Sequence, residues 1–298
     1  MRSITRMRAL GVLLLAPLVA LTGCGQTTGA DDGRVAVVAT TTQLGDFTRT
    51  VGGDRIALTQ LMQPNTDPHE YEPTPSAVQA VADADVVVEH GLGLDDWLDQ
   101  VVANAGGSAT RTVTTAGIAT RPNGDPHVWL DPGNAILMVG AIERALAVAD
   151  PPGAATYRGN AQRLTDQITA LDRELERRIA TVPVDRRRIV TDHDAFGYFA
   201  RRYGIEVVGT VVPSLSTAAQ ASGGRLAELA QTMRARGVRV VFADASLDPR
   251  VERALADEAG ARLGAPLTVD ALGQADTPTG TYLGMMRANM DAIIAGVQ

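Results

Sequence analysis

Cysteine is almost absent from this chain, because Cys24 is the only one among 298 residues. A lone cysteine cannot form an internal disulfide or a cysteine-rich metal site. Any metal ion held by the folded part would therefore need imidazole or oxygen ligands. Histidine is also scarce, with four in the whole chain, so the position of each one is informative.

Positive charge is in deficit as well. The chain has 27 basic residues, all of them arginine, against 34 acidic residues, which makes a formal net charge of −7. Loss of residues 1–23 would remove three arginines and bring the charge to −10. This balance argues against a nucleic acid as partner. It suits a cation, although acidity by itself raises solubility and identifies no ligand.

A long hydrophobic run is missing too, because the apolar stretch at residues 9–21 falls short of the roughly 20 residues of a membrane-spanning helix. Three arginines precede it, and Leu-Thr-Gly-Cys follows it and ends at Cys24. This order is typical of a signal peptide, residues 1–23, that ends in a lipobox. We therefore expect Cys24 to be lipidated and to hold the protein at the outer face of the cell membrane. A free thiol in a flexible leader is the alternative.

The rest of the chain alternates short β-branched runs with helical stretches, beginning with VAVVATT and FTRTVG after Arg34. Such alternation indicates βα units and a parallel sheet covered on both faces. The length exceeds what one compact domain usually holds. We predict an α/β fold of two parallel-sheet, Rossmann-like lobes at residues 34–150 and 183–298, preceded by a lipidated tether at residues 24–33.

One long helix is predicted between the lobes, at residues 151–182. Apolar residues from Tyr157 to Ile179 recur at spacings of three and four, and Pro151 and Pro183 punctuate the two ends. A helix of this length runs roughly 40 Å and would act as a rigid connection. An ordinary surface helix of the second lobe is the alternative.

Two of the four histidines lie in near copies of one phrase, His69 in DPHEYEP and His127 in DPHVWLDP. Each phrase follows a predicted strand or loop and precedes a predicted helix. His193 stands in the same relation to the strand RRIVTD and the helix AFGYFARRYG. Ligands of open parallel sheets gather at the carboxyl ends of the strands. These positions predict that His69, His127 and His193 meet in the cleft between the lobes.

Three imidazoles and one carboxylate form a complete four-coordinate shell for a divalent transition metal such as zinc. The strand-end candidates for the carboxylate are Asp244 and Asp270, and each could equally cap a helix. His90 lacks the Asp-Pro phrase, and we expect it to be an ordinary hydrogen-bonded histidine. Tyr71 and Trp129 could shield the site, or they could belong to the core.

From Val35 to the C-terminus the chain resembles the zinc and manganese solute-binding lipoproteins of bacterial ABC transporters, in the motifs DPHEYEPTPS, GLGLDDWLD, DPHVWLDP, HDAFGYFARRYGI, VVFADASLDP and TYLGMMRANMDAI. The resemblance implies that the three histidines of the preceding paragraphs are metal ligands, and it points to Asp270, ahead of Asp244, as the fourth. It also implies a C-clamp of two lobes joined by one long helix. The implied partner is the membrane permease of an ABC transporter, and the implied form is a monomer.

The implied cargo is Zn²⁺ or Mn²⁺. Three imidazole ligands favour zinc, since manganese prefers more oxygen and a larger coordination number. Relatives with histidine at the position of His193 resemble zinc or mixed-metal binders, whereas strict manganese binders tend to have glutamate there. The long His- and acid-rich loop of many zinc-specific relatives is missing between the first two motifs, so manganese stays the alternative cargo.

Two other kinds of function are weighed against transport. A secreted zinc hydrolase would need an open coordination position and a general base, for which Glu70 beside His69 is the candidate. The chain has no HExxH motif, and a fourth protein ligand would close the site, so we expect no enzyme activity. An adhesin or structural surface lipoprotein is the third possibility, and no motif favours it.

Overall fold

The computed structural model describes residues 33–219 and 222–298; the predicted signal peptide, Cys24 and the tether up to residue 32 lie outside the described residues. The strands are β1 Val35–Ala39, β2 Ile56–Gln60, β3 Val86–Glu89, β4 Thr110–Val113, β5 Arg188–Thr191, β6 Glu206–Thr210, β7 Val240–Val241 and β8 Arg262–Leu263. The α-helices are α1 Thr42–Gly52, α2 Pro75–Ala82, α3 Trp97–Ala105, α4 Pro132–Ala149, α5 Ala154–Ile179, α6 Gly197–Tyr203, α7 Gly223–Arg236, α8 Arg250–Ala259 and α9 Tyr282–Val297. An α-helix follows each of these strands before the next begins, as the alternation in the sequence predicted.

The strands form two parallel sheets, one in each lobe. The first lobe has the order β2-β1-β3-β4 and the second the order β6-β5-β7-β8. Helices cover both faces, which is why β3 is a continuous run of buried residues rather than an alternating one. In each sheet the strand that comes first in the chain, β1 or β5, lies between the next two strands of the chain. The strand order therefore reverses beside it. Such a reversal opens a crevice at the carboxyl ends of the strands, where ligands bind. The predicted fold class is confirmed.

Helix α5 joins the two lobes. Near its beginning, Asp150 accepts hydrogen bonds from Arg55 of the first lobe, at 2.8 Å, and from Tyr157, at 2.7 Å. Further along, Asp172 accepts a hydrogen bond of 3.0 Å from the hydroxyl of Tyr203 in α6. The helix packs on α1 and α4 and then on α6 and α9. It therefore belongs to both lobes, as predicted.

The core is continuous across α5. One face of the helix is buried and consists of Tyr157, Ala161, Leu164, Ile168, Leu171, Leu175 and Ile179. These side chains share one hydrophobic cluster with residues from β1 and β3 and with residues from β5 and α9. Gly33–Gln298 forms a single compact unit, and the residue boundaries assigned to the two lobes stay a prediction.

Within the described ranges, one helix is long and apolar enough to cross a membrane by length and composition, namely α4. Its inward face is part of the core and includes Met138, Val139 and Ile142, all fully buried. An apolar helix between a sheet and α5 has the same composition as a membrane span. The packing therefore identifies α4 as a core helix.

We predict that Ile168→Ala destabilises the whole unit. Ile168 is fully buried in the core that the two lobes share, and truncation of such a side chain costs about 2–5 kcal/mol. The measurement is urea unfolding of the chain from Gly33 onward. The control is Gln167→Ala on the exposed face of the same helix, for which we expect a change within about 0.5 kcal/mol. Equal effects of the two substitutions would contradict the shared core.

Candidate metal centre

His69 lies in the loop that follows β2. Asp67 begins a turn of 3-10 helix, Pro68–Glu70, and its Oδ1 accepts a hydrogen bond of 2.9 Å from the backbone N–H of His69. Pro68 takes the first helical position, where no N–H donor is required. The side chain of His69 is 9% exposed. Its buried Nε2 has no hydrogen-bond partner among the described residues.

His127 lies in the second copy of the phrase, and the same kind of turn holds it. Oδ1 of Asp125 accepts hydrogen bonds from the backbone N–H of His127, at 3.0 Å, and from the ring Nδ1, at 2.7 Å. A 3-10 helix then leads to Asp131, whose side chain caps α4. The repeated aspartate therefore has a structural explanation: it fixes the backbone of the turn that presents the histidine. In the second copy it also orients the ring.

His193 and Asp270 come from the second lobe. His193 lies two residues beyond β5, and its Nδ1 is 3.1 Å from Oδ1 of Asp192. Asp270 lies beyond β8, in a segment that runs against the first lobe. Its backbone carbonyl accepts a hydrogen bond of 3.0 Å from Nε2 of Gln43 in α1. Both side chains are buried.

The four side chains converge on one point. Their potential ligand atoms all lie within 4.8 Å of one another. Nε2 of His127 is 3.3 Å from Oδ1 of Asp270 and 3.4 Å from Nε2 of His193. Nε2 of His193 is 3.3 Å from Oδ2 of Asp270, and Nε2 of His69 is 3.9 Å from Oδ1. Zinc–ligand bonds of about 2.1 Å place the corners of a tetrahedron roughly 3.4 Å apart, so the spacing fits a bound transition metal.

The hydrogen bonding around the cluster leaves the convergent atoms free for a cation. Because Asp125 and Asp192 engage Nδ1 of their histidines, the Nε2 atoms of His127 and His193 point inward and are available as ligand atoms. Within residues 33–219 and 222–298, both carboxylate oxygens of Asp270 are buried without a hydrogen-bond partner. Buried polar atoms without partners are rare in native proteins. A metal ion at the common point would satisfy them.

The electrostatics of the cluster favour positive charge at its centre. Burial alone would raise the pKa of the Asp270 carboxyl, but the charges of His193 and His127 outweigh burial and lower this pKa. Burial alone would lower the pKa of His193, yet the charges of Asp270 and Asp192 raise it well above its ordinary value. For His69 burial prevails, and its pKa is lowered. Asp270 thus stays ionised. Its buried negative charge favours protonated imidazoles beside it or, in their place, a metal cation.

Asp244, the other carboxylate considered from the sequence, is not among the four convergent residues. Its Oδ1 accepts hydrogen bonds from the backbone N–H of Ser246, at 2.7 Å, and from the Ser246 hydroxyl, at 2.5 Å. Burial, followed by the charge of Asp270, raises the pKa of Asp244 to about 7. Its contacts are those of a turn residue rather than a helix cap.

His90 lies behind the loop of His127 and outside the cluster. Its Nε2 donates a hydrogen bond of 2.7 Å to the backbone carbonyl of Pro126. Burial lowers the pKa of His90 to about 4, so the ring is neutral near pH 7. It supports the backbone just before His127, in agreement with the hydrogen-bonded role expected from the sequence.

The two aromatic residues of the repeated phrase differ in position. The ring centroid of Trp129 is 5.3 Å from that of His127, and its Nε1 donates a hydrogen bond of 3.2 Å to the carbonyl of Val269. Tyr71 packs against Trp97, at a centroid distance of 4.7 Å. Trp129 therefore shields the cluster and connects the lobes, whereas Tyr71 belongs to a neighbouring apolar cluster.

Several residues that hold the cluster were not singled out in the sequence. Asp125 and Asp192 could have been found, because each lies one or two residues before a candidate histidine. Gln43 carries no such signal, since it is 227 residues from Asp270 in the chain. Only the arrangement of the lobes brings these two residues together.

Comparison with known proteins identifies the family. Residues 37–296 match the model of the zinc-uptake complex component A periplasmic (ZnuA) family. The chain belongs to this family. It is therefore a member of the metal-binding, substrate-binding lipoproteins of ABC transporters, as the sequence motifs predicted.

Known proteins related to this chain match nearly its whole length. The zinc-binding protein TroA of Treponema pallidum is 32% identical, over 96% of this chain and 96% of its own. The manganese-binding lipoprotein MntA of Bacillus subtilis is 32% identical, over 92% and 94%. The metal ABC transporter substrate-binding lipoprotein SsaB of Streptococcus sanguinis is 27% identical, over 98% and 99%. The solved structure of TroA superposes with a TM-score of 0.83 at 31% identity and covers 89% of this chain and 99% of that one.

Members of the ZnuA family are solute-binding transport proteins and not enzymes. The hydrolase alternative receives no support. Glu70, its candidate base, has an exposed side chain and is not one of the convergent residues of the described chain.

Asp270 belongs to the cluster of four convergent side chains and Asp244 does not. Substitutions of these two aspartates should therefore affect metal affinity differently. Asp270→Asn keeps the size of the side chain but removes the buried charge and one ligand oxygen. We expect metal affinity to fall by more than the roughly 10–100-fold that loss of an outer hydrogen-bond partner costs. Isothermal titration with zinc measures it.

Asp244→Asn is the matched control, because it is an equally buried aspartate whose Oδ1 bonds to Ser246 and which is not among the four convergent residues. We expect its metal affinity to stay close to that of the unmodified protein. A larger loss with Asp244→Asn than with Asp270→Asn would reassign the fourth ligand.

Proposed function

We propose that the mature protein captures one divalent transition metal ion, with zinc as the preferred cargo, outside the cytoplasm and delivers it to the membrane permease of an ABC transporter. His69, His127, His193 and Asp270 are the proposed ligands. The cargo is bound and released unchanged.

One observation carries this proposal: three imidazole Nε2 atoms and a buried, unpartnered carboxylate point at one another. A buried carboxylate without a partner is costly for folding unless a cation compensates it. The ligands come from both lobes, so a metal ion at this point would link the lobes across the cleft. Binding and lobe closure would then be coupled.

The ligand set supports zinc ahead of manganese. Three of the four ligand residues are imidazoles, and nitrogen-rich sites bind Zn²⁺ more tightly than Mn²⁺. The zinc-binding protein TroA and the manganese-binding lipoprotein MntA of B. subtilis are equally similar to this chain, at 32% identity. Both oxygens of Asp270 face the cluster, which would permit a fifth bond. Manganese is therefore the alternative cargo.

The burial of the ligands supports a carrier. Side chains of His127, His193 and Asp270 are at most 1% exposed, and four protein ligands complete a tetrahedral shell. A catalytic zinc site keeps one position open for water. A closed site holds the ion for transport.

The proposal includes a lipid anchor at Cys24, which follows the apolar leader and lies outside the described residues. Residues 25–33 would separate the anchor from β1. The protein would then work as a monomer at the outer face of the membrane, with the permease as its partner.

A competition titration tests the cargo. The chain from Gly33 onward is stripped with a chelator and titrated with zinc and with manganese. We expect one ion per chain for either metal, and tighter binding of zinc, as the order of stabilities of divalent ions requires.

A stoichiometry near zero for both metals would refute the proposal. Tighter binding of manganese would keep the site and change only the preferred cargo. The control protein is Gln167→Ala, which alters an exposed residue of α5 outside the cluster and retains the single binding site.

Substitution of the lipidated residue tests the anchor. Cys24→Ala in the full chain removes the acceptor thiol, and we expect the protein to leave the membrane fraction and appear in the soluble extracytoplasmic fraction. Zinc binding should be unchanged, because the folded unit begins at Gly33. Membrane retention of Cys24→Ala, released only by detergent, would indicate an uncleaved leader helix instead.

A further inference from the structure

A direct contact joins the loop of His127 to the helix that follows His193. Tyr198 lies in the first turn of α6 and is fully buried. Its hydroxyl accepts a hydrogen bond of 2.9 Å from the backbone N–H of Arg121 and donates one of 2.9 Å to the backbone carbonyl of Asp125. The hydroxyl of Tyr198, in the second lobe, therefore bridges two backbone groups of the loop that leads to His127.

The side chain of Arg121 makes a second connection between the same segments. Its guanidinium forms an ion pair with Oδ2 of Asp125 and lies 3.7 Å from Oδ1 of Asp194. It also lies over the ring of Tyr198, 5.8 Å from the centroid. A Cβ atom on Gly197 would coincide with this guanidinium. Glycine at the first position of α6 thus makes room for the arginine.

Asp125 links both Tyr198 and Arg121 to the candidate metal centre. While Oδ2 pairs with Arg121, Oδ1 accepts the hydrogen bonds from the backbone and from Nδ1 of His127. Nε2 of the same imidazole is 3.4 Å from Nε2 of His193. The direction of one ligand ring is thereby linked to a helix that starts four residues after the other ligand.

We propose that Tyr198, Arg121 and Asp125 form a positioning network that fixes the imidazole of His127 for metal binding when α6 is docked against its loop. The inference rests on the proposed metal-binding function. The network touches no metal ion, and it acts through the direction of Nε2 in His127. Outer hydrogen-bond partners of a metal-binding histidine change affinity by 10–100-fold. Since affinity differences within one site appear mainly in the dissociation rate, the network should slow metal release.

Gly197→Ala tests the role of the guanidinium without altering any ligand. The new methyl group occupies the position of the Arg121 guanidinium, which must shift from its place beside Asp125. Alanine favours a helix over glycine, so the helix itself is not weakened. We expect zinc to dissociate about 10-fold faster, measured by stopped-flow transfer to a chelator.

Gly223→Ala is the matched control. Gly223 is likewise the first residue of a helix, α7, and a Cβ atom added there meets no other atom within 4 Å. The substitution has the same effect on helix propensity and no contact with Arg121. We expect the zinc dissociation rate of this variant to equal that of the unmodified protein.

A second pair of variants tests the tyrosine hydroxyl. Tyr198→Phe removes both hydrogen bonds to the loop of His127, whereas Tyr203→Phe removes a hydrogen bond to Asp172 from the same helix. Both should lower the unfolding midpoint. Only Tyr198→Phe should change the visible absorption spectrum of the Co²⁺-loaded protein, which reports the geometry of the ligands, and accelerate metal release.

The outcomes separate this inference from the proposed function. Wild-type release rates and an unchanged Co²⁺ spectrum in Gly197→Ala and Tyr198→Phe would overturn the positioning network. A wild-type protein that binds neither Zn²⁺ nor Co²⁺ would overturn the proposed function instead. Faster release in both control variants would assign the effect to general stability and also reject the network.

Discussion

The buried carboxylate of Asp270 is the constraint on which the centre of this structure depends. Its two oxygens have no hydrogen-bond partner in the described chain, and three imidazoles surround them. An ionised group in such a place is tolerated only with compensating positive charge. The raised pKa of His193 and the lowered pKa of Asp270 both result from the attraction between this carboxylate and positive charge. The cluster is therefore one that could hold a metal cation.

The two sheets bring the loops at their strand ends together around this carboxylate. Loops after β2 and β5 carry histidines, and the segment after β8 carries the aspartate, so no single element builds the site. Gln43 of the first lobe holds the carbonyl of Asp270, and Trp129 holds that of Val269. These contacts cross between the lobes beside the site itself. Helix α5 supplies a rigid frame behind them, because its buried face is shared by both halves of the core.

Much of this arrangement could be predicted from local patterns. The alternation of strands and helices predicted two parallel sheets, and the spacing in residues 154–180 predicted α5. The histidines could be selected because each lies shortly before a predicted helix and two share a phrase. The aspartate that joins the cluster could not be chosen in this way, since Asp244 and Asp270 both follow β-rich segments. What separates them is three-dimensional: Ser246 engages the carboxylate of Asp244, whereas Asp270 faces the imidazoles.

Contacts between distant segments were beyond prediction for a physical reason. Tyr198 and Asp125 are 73 residues apart, and Gln43 and Asp270 are 227 apart. Local propensity and periodicity describe single elements and carry no information on which loop a given hydroxyl will meet. The pairing is decided by how the lobes pack on α5. Glycine at position 197 is one local trace of such a contact, and its meaning emerges only from the position of the Arg121 side chain beside it.

A carrier must release its cargo as well as hold it, and the contacts between the lobes are suited to both. Gln43, Trp129 and Tyr198 make neutral hydrogen bonds between the lobes, each with a net worth of about 0.5–1.5 kcal/mol. Several of them together keep the lobes aligned around an ion. Each can be exchanged for a bond to water or to a partner protein at small cost. A bound cation would add ligand bonds from both lobes at the same place, so its loss would weaken the contacts across the cleft while the shared core on α5 still joins the lobes.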